Sequence, residues 1–194
     1  MVVGPADRQD GGVDDLTGRP RRVLVLGGAR SGKSAFAQSL LADVGDVCYV
    51  ATGPSGDDDP EWLARVERHR RQRPAAWHTV ETTDLVGVLA ATDAPLLIDC
   101  VTLWLTAVLD EAGGWEQRTG YDTAVQRRVD ALVGAWRERR TTAVAVSDEV
   151  GWGVVPDTWS GRLFRDQLGL LNQSLAKESD EVWLLVAGIP QRLA

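Results

Sequence analysis

The sequence predicts an α/β domain of three layers, with a mostly parallel central sheet between two sets of helices. Three observations carry that expectation. Short apolar runs rich in Val, Leu and Ile recur along the chain, separated by segments whose apolar residues have helical spacing. The runs are apolar throughout rather than alternating, as strands covered on both faces are. The first run ends at paired glycines, and a helical segment follows within a few residues.

Taken in order, Arg22–Leu26 (RVLVL) is the first expected strand, and Lys33–Val44, with Phe36, Leu40, Leu41 and Val44 on one face, is the first helix. Val47–Ala51 (VCYVA) is the next strand. After the acidic run Asp57–Asp59, Pro60 and Glu61 make a good helix start, and that helix should run to about Arg73, before Pro74. Trp77–Glu81 is a short strand, Leu85–Ala91 a short helix, and Pro95–Cys100 (PLLIDC) a strand ending in a carboxylate. Helices around Leu103–Glu111 and Tyr121–Arg139 flank a turn at Gly113-Gly114. Thr142–Ser147 (TAVAVS) is a strand running into Asp148-Glu149, Gly161–Glu178 a helix, and Glu181–Val186 (EVWLLV) the final strand. Strand–helix alternation of this kind requires right-handed crossovers and one sheet. The segment 151–160, with two tryptophans, follows a strand's C-terminal end, where α/β folds keep their ligands.

The 194 residues suit one domain, expected over residues 21–194, preceded by a flexible leader over residues 1–20 that is rich in Gly, Asp and Arg. With 44% apolar and 25% charged residues, the chain has the composition of an ordinary globular protein. A net charge of -7 argues against a general nucleic-acid binder. Cys48 and Cys100, the only two cysteines, lie in strand-like runs and read as buried small hydrophobes of a reducing compartment. There is no apolar stretch of the ~18 residues that span a membrane, and the expected location is the cytoplasm.

Gly27-Gly28-Ala29-Arg30-Ser31-Gly32-Lys33-Ser34 matches the phosphate-binding pattern G-x-x-x-x-G-K-S/T, with a strand before it and a helix after it. The residue types follow from the chemistry. Glycines let the backbone wrap with its N–H groups toward phosphate, Lys33 can reach the β- and γ-phosphates, and the Ser34 hydroxyl can ligate Mg²⁺. Lys33 is one of only two lysines in a chain with nineteen arginines. A carboxylate for the metal should end a neighbouring strand, and Asp99, Asp148 and Glu149 are all candidates.

A second constellation lies on the helix before Pro74. Arg65, His69 and Arg73 are spaced i, i+4, i+8 and share one face, with Arg68, Arg70 and Arg71 around them. The patch reads either as a solvated basic face or as a phosphate-binding surface in which His69 is a nucleophile toward a nucleotide α-phosphorus, with arginines stabilising the charge. His78, in a strand beside Trp77, reads as structural.

With these segments in hand, the sequence resembles the bifunctional adenosylcobinamide kinase/adenosylcobinamide-phosphate guanylyltransferase family. The resemblance runs in order through Gly27–Ser34, Tyr49–Thr52, Ala64–Glu81, Leu96–Cys100, Ser147–Pro156 (SDEVGWGVVP), Phe164–Asp166, Leu171–Gln173 and Asp180–Pro190. The most specific parts are the H-x-x-x-R-P element, His69 to Pro74, and the S-x-E-V-G-x-G-x-V-P element. The resemblance implies a P-loop NTPase fold of the RecA-like kind and a homotrimer. It implies phosphorylation of adenosylcobinamide with ATP or GTP, then GMP transfer from GTP through a guanylylated histidine, here His69. It implies nucleotide contacts at Gly27, Gly28, Ala29, Arg30, Ser31, Gly32, Lys33 and Ser34, at Ala51, Thr52 and Gly53, at Arg70, Arg71, Gln72 and Arg73, and at Glu81 and Asp99. Catalysis falls on His69 and Lys33, and Mg²⁺ on Ser34 and Asp99. The chain departs from the family's pattern at Asp148 and Ala107, where asparagine is usual. Trp152 and Trp159 are candidate platforms for the corrinoid. A regulatory GTP-binding switch is the rival of another class. Asp148–Gly151 fits D-x-x-G, but the chain contains no N-K-x-D or T-K-x-D.

Overall fold

A computed structural model describes residues 20–53, 67 and 73–194. Seven strands form one sheet: β1 (Arg22–Gly27), β2 (Cys48–Ala51), β3 (His78–Glu81), β4 (Leu96–Asp99), β5 (Ala143–Asp148), β6 (Glu181–Val186) and β7 (Ile189–Arg192). Their order across the sheet is β3-β2-β4-β5-β1-β6-β7. All neighbouring pairs are parallel except β6 with β7. The described helices are α1 (Lys33–Ser39), α2 (Leu85–Ala91), α3 (Val101–Ala112), α4 (Tyr121–Glu138) and α5 (Trp159–Lys177). The expected three-layer α/β architecture is what forms.

Pleating divides the interior strands between two cores. Leu24, Cys48, Val50, Leu96, Ile98, Ala143 and Ala145 face one way, into a cluster completed by α2, α3, α4 and α5. Val23, Val25, Tyr49, Leu97, Val144, Val146, Trp183 and Leu185 face the other way, with Ala37, Leu40 and Leu41 of the α1 segment. Both cysteines are free and buried, as expected. Burial, with the Asp99 carboxylate as the next cause, pushes the Cys100 thiol up to about 11, so it stays an uncharged thiol.

Element ends differ from the sequence expectation where local geometry overrides periodicity. α1 stops at Ser39 rather than Val44, because Leu41, Ala42 and Val44 bond to carbonyls three residues back and wind the chain into tight turns. α5 begins at Trp159, two residues early, because the Thr158 hydroxyl accepts from the Gly161 N–H at 3.1 Å and caps it. Gly113 ends α3 in the left-handed conformation, as the paired glycines suggested. The strand expected to be last has a partner, β7, joined through Ala187 and Gly188. Both have positive φ, 51° and 80°, the signature of a tight hairpin turn that matches the twist of its strands. Pro190 within β7 hid that strand from pattern reading, since proline suits only edge positions. The expected leader lies outside the described residues up to position 19. The basic helix before Pro74 does too, except for helical Glu67 and for Arg73 at its end.

One buried amide ties α5 to the functional end of β5. Asn172 accepts from the Ser147 hydroxyl at 2.7 Å and donates to the Asp148 carbonyl at 3.0 Å. Ser147 is fully buried, so losing the amide strands its hydroxyl where water cannot reach and leaves the part-buried Asp148 carbonyl without this donor. Asn172→Ala should lower the unfolding free energy by about 2–4 kcal/mol, the cost of unpaired buried groups plus a small cavity. Urea denaturation would measure it, and a change within 0.5 kcal/mol would contradict this account.

Candidate functional site

The parallel register brings the predicted residues to one edge. Ala51 of β2 stands opposite Glu81 of β3 on one side and Asp99 of β4 on the other. Asp99 pairs with Val146 of β5, and two residues further along Asp148 pairs with Gly27 of β1. Five strands thus end in a row of Glu81, Ala51, Asp99, Asp148 and Gly27. Here β1 lies between β5 and β6, two strands far later in sequence, and crevices of α/β ligand sites open at such topological switches.

The loop from Gly27 to Ser34 is folded into a cradle. Arg30 and Gly32 both have positive φ, 56° and 94°, which curls successive peptide units toward one side. Ser31 donates its N–H to the Gly28 carbonyl at 3.2 Å, and its own carbonyl accepts from the Gly188 N–H at 2.9 Å, so the β6–β7 turn braces the loop. Gly27 is required by space, since a Cβ there would lie 2.4 Å from Ser31 Oγ and 2.9 Å from the Leu185 carbonyl oxygen. Ser31 Oγ is buried with no hydrogen-bond partner among the described residues. Ala29 and Arg30 are exposed on the rim.

Lys33 reaches back across the cradle. Its Nζ lies 2.6 Å from Asp148 Oδ1 and 3.1 Å from the Gly28 carbonyl oxygen. Asp148 is itself held through its backbone, its N–H donating to Thr102 Oγ1 at 2.8 Å and its carbonyl accepting from Asn172. Of the three carboxylates considered for a metal, Asp148 is engaged by Lys33, and Glu149 accepts from the Gly151 N–H at 2.9 Å. Asp99 is the one beside Ser34, with Oδ1 3.4 Å from Ser34 Oγ. Two neighbouring ligands of an octahedral Mg²⁺ stand about 3 Å apart, so this pair of hard oxygen donors fits such an ion.

Three features lay beyond the residues singled out from sequence. Tyr49 is 2% exposed and donates its hydroxyl to Asp99 Oδ2 at 2.7 Å. Over its ring, 3.4 Å from the centroid, lies the Arg73 guanidinium, which also donates from Nη1 to Thr79 Oγ1 at 3.0 Å. The Lys33–Asp148 pair is the third. A signal for Tyr49 was present, as the one polar ring in the run Val47–Ala51, since a buried tyrosine hydroxyl needs a partner. A lysine and an aspartate far apart in sequence give no such signal.

Other expected positions fall as follows. Thr52 is 1% exposed, and its hydroxyl is shared with Cys100, donating to the carbonyl and accepting from the N–H at 3.1 Å, so its side chain stitches β2 to the start of α3. Gly53 is half-buried and Glu81 exposed. His69, Arg70, Arg71 and Gln72 lie outside the described residues. His78, at the opposite end of its strand from Glu81, faces Asp46 with Nδ1 3.2 Å from Oδ1, and both side chains are half or more exposed. Trp152 is 73% exposed in the loop after β5, whereas Trp159 packs edge-on against Tyr121. Ala107 lies within α3. No helix among the described residues is long and apolar enough to cross a membrane.

Comparison with known proteins fits this geometry. A search of solved structures finds an ATPase of a bacterial type III secretion system with TM-score 0.58 at 15% identity, over 87% of this chain and 51% of that one, a likeness of fold alone. Among curated proteins, the bifunctional adenosylcobalamin biosynthesis protein CobU of Escherichia coli is 39% identical over 177 residues, covering 86% of this chain and 96% of that protein. CobU of Salmonella typhimurium is also 39% identical, and the bifunctional adenosylcobalamin biosynthesis protein CobP of Pseudomonas aeruginosa is 38% identical over 89% of this chain. The family described as cobinamide kinase / cobinamide phosphate guanyltransferase matches residues 23–193. With a phosphate cradle at its strand ends and relatives matching over nearly their whole length, the chain belongs to that family of transferases.

Proposed function

We propose that the chain phosphorylates adenosylcobinamide with ATP or GTP and then transfers GMP from GTP through a guanylylated His69. The products are adenosylcobinamide-GDP and pyrophosphate, within assembly of the adenosylcobalamin nucleotide loop. One observation carries this reading: Arg73, the arginine of the H-x-x-x-R-P element, lies against Tyr49, whose hydroxyl is bonded to the carboxylate beside Ser34. A contact of Arg73 with the residues behind Ser34 supports a reading in which His69, four positions earlier, serves the same site.

In the first step the substrate hydroxyl attacks the γ-phosphorus and gives up its proton to solvent, the bond to the β-phosphate oxygen breaks, and the nucleoside diphosphate leaves. Lys33 follows the charge on the β- and γ-oxygens, and the curled backbone from Gly28 to Ser34 holds them in place. In the second, a neutral His69 ring nitrogen attacks the α-phosphorus of GTP and pyrophosphate leaves. The phosphate oxygen of adenosylcobinamide phosphate then displaces histidine, so that the P–N bond breaks and a P–O–P bond forms. Arg70, Arg71, Gln72 and Arg73, with Ala51, Thr52, Gly53 and Glu81 at the strand ends, are assigned to nucleotide contacts. Ser34 and Asp99 would hold Mg²⁺, which lowers the negative charge that an attacking oxygen meets. Trp152, exposed beside the strand ends, is a platform for the corrinoid face.

The same reading includes a cytoplasmic location and a homotrimer. The hairpin offers an assembly surface, because β7 is an edge strand and Val186, Ile189 and Leu193 are half or more exposed.

Three outcomes test the proposal. Incubation with α-labelled GTP and Mg²⁺ should leave a protein-bound label that survives alkali and is lost in acid. His69→Ala should abolish it, and a folded wild-type protein that takes no label would favour a simple kinase without a covalent intermediate. Asp148→Asn should tighten GTP binding roughly three- to tenfold, because the incoming phosphate no longer competes with a carboxylate for Lys33; a part-exposed ion pair is worth about 1 kcal/mol, or fivefold. Equilibrium titration reads this, and weaker binding would overturn it. Sedimentation should give three times the 21.0 kDa chain mass; a monomer at micromolar concentration would remove the trimer.

A further inference from the structure

Tyr49 stands where two parts of the site meet. On the face of the sheet that carries α1, it lies between Thr79, its register partner on β3, and Leu97 on β4. Two residues beyond Leu97, on the same face, is Asp99. The tyrosine hydroxyl occupies Asp99 Oδ2 at 2.7 Å, which turns Oδ1 toward Ser34 Oγ at 3.4 Å. Its ring face carries the Arg73 guanidinium, whose Nε is buried with no hydrogen-bond partner among the described residues.

A tyrosine that only filled space would need no such arrangement. Its neighbours in the core are Val, Leu, Ala, Cys and Trp side chains, and phenylalanine would satisfy them equally. The hydroxyl costs desolvation unless it is bonded, and it is bonded to the carboxylate that fits Mg²⁺. The ring face could have been covered by an apolar side chain, yet it bears a cation, an arrangement favoured by the ring's quadrupole.

We propose that Tyr49 is a positioning residue for both halves of the reaction: its hydroxyl aims Asp99 at the divalent cation beside Ser34, and its ring seats Arg73 at the edge of the phosphate cradle. The inference rests on the assignment of Ser34 and Asp99 to the cation made under Proposed function. It adds a residue that touches neither nucleotide nor corrinoid, and it predicts that the hydroxyl and the ring can be separated by substitution.

The test is equilibrium binding of a fluorescent GTP analogue to the full chain, without metal and across a Mg²⁺ titration, alongside thermal unfolding of each variant. Tyr49→Phe keeps the ring and loses only the bond to a charged acceptor. It should leave metal-free affinity within twofold of wild type and raise the Mg²⁺ midpoint tenfold or more, the scale of one such bond. Tyr49→Leu should raise the midpoint as much and also weaken metal-free binding by at least threefold, since Arg73 loses its seat. A purely structural tyrosine would lower the unfolding temperature in both variants with no movement of the Mg²⁺ midpoint, and that result overturns the proposal. Equal metal-free affinities in Tyr49→Phe and Tyr49→Leu would overturn the part concerning Arg73. If Tyr49→Leu does not fold, Arg73→Ala made alone and with Tyr49→Phe replaces it. Independent effects, with Arg73→Ala changing metal-free affinity and Tyr49→Phe the Mg²⁺ midpoint, support the two roles, and an Arg73→Ala protein binding like wild type refutes the second. A wild-type protein whose GTP affinity ignores Mg²⁺ would instead refute the underlying assignment of the cation, whatever the Tyr49 variants do.

Discussion

Of the interior strands, β1, β2, β4 and β5 are covered on both faces, and a strand so placed can carry a charged side chain only where it leaves the sheet. Of the fifteen residues from Val23 to Leu26, Cys48 to Val50, Leu96 to Ile98 and Ala143 to Ser147, only Tyr49 and Ser147 bear a polar side-chain oxygen, and both are hydrogen-bonded. Charge is thereby confined to the strand ends. Parallel pairing then sends all C-terminal ends to one edge, so Asp99, Asp148 and the loop after Gly27 come together as a consequence of burial. The site needs no separate scaffold.

This constraint also explains which parts were legible in the sequence. The strands, the cradle from Gly27 to Ser34 and the carboxylate at Asp99 are local patterns: an apolar run, a glycine spacing, an acid at a run's end. Each is fixed by a few adjacent residues, and the structure places them as expected. The Lys33–Asp148 pair and the seat of Arg73 on Tyr49 depend on strand order, with β5 next to β1 and β2 between β3 and β4. Alternation of strands and helices says that a sheet forms, but it does not say which strands are neighbours. The β6–β7 hairpin escaped for another reason. Its turn puts an alanine at positive φ, and its second strand contains a proline, so both local signals pointed away from a strand.

The sheet shares its fold with a secretion ATPase at 15% identity, and a fold does not by itself carry a function. What is particular to this chain is carried by side chains at the edge, and some of the most informative serve other residues. Thr52 spends its hydroxyl on the Cys100 backbone, Thr102 and Asn172 hold the backbone of Asp148, and Tyr49 holds Asp99. These supports stand one bond behind the groups that would meet a nucleotide. Loose carboxylates at the end of a short strand would sample several rotamers, and a geometry spread over many rotamers is costly to gather when a ligand arrives.

The pair formed by Lys33 and Asp148 bears on how such a cradle stays folded when empty. A lysine side chain only 12% exposed, ringed by the curled loop, would be poorly solvated without an acceptor. Asp148 and the Gly28 carbonyl supply acceptors in the empty protein. Under the proposed function, a triphosphate would replace a carboxylate already in contact with the ammonium group, so it would gain only the difference between two counter-ions. The displaced carboxylate also remains within a few ångströms of added negative charge. An asparagine at this position would spare the protein that repulsion but would leave Lys33 less well matched before the nucleotide arrives. The aspartate therefore moves part of the electrostatic stabilisation from the loaded cradle to the empty one. If Ser34 and Asp99 hold a cation as proposed, that shift would make the binding of a highly charged ligand depend more steeply on it, and the aim of Asp99 toward Ser34 would matter more in this chain than beside an uncharged residue.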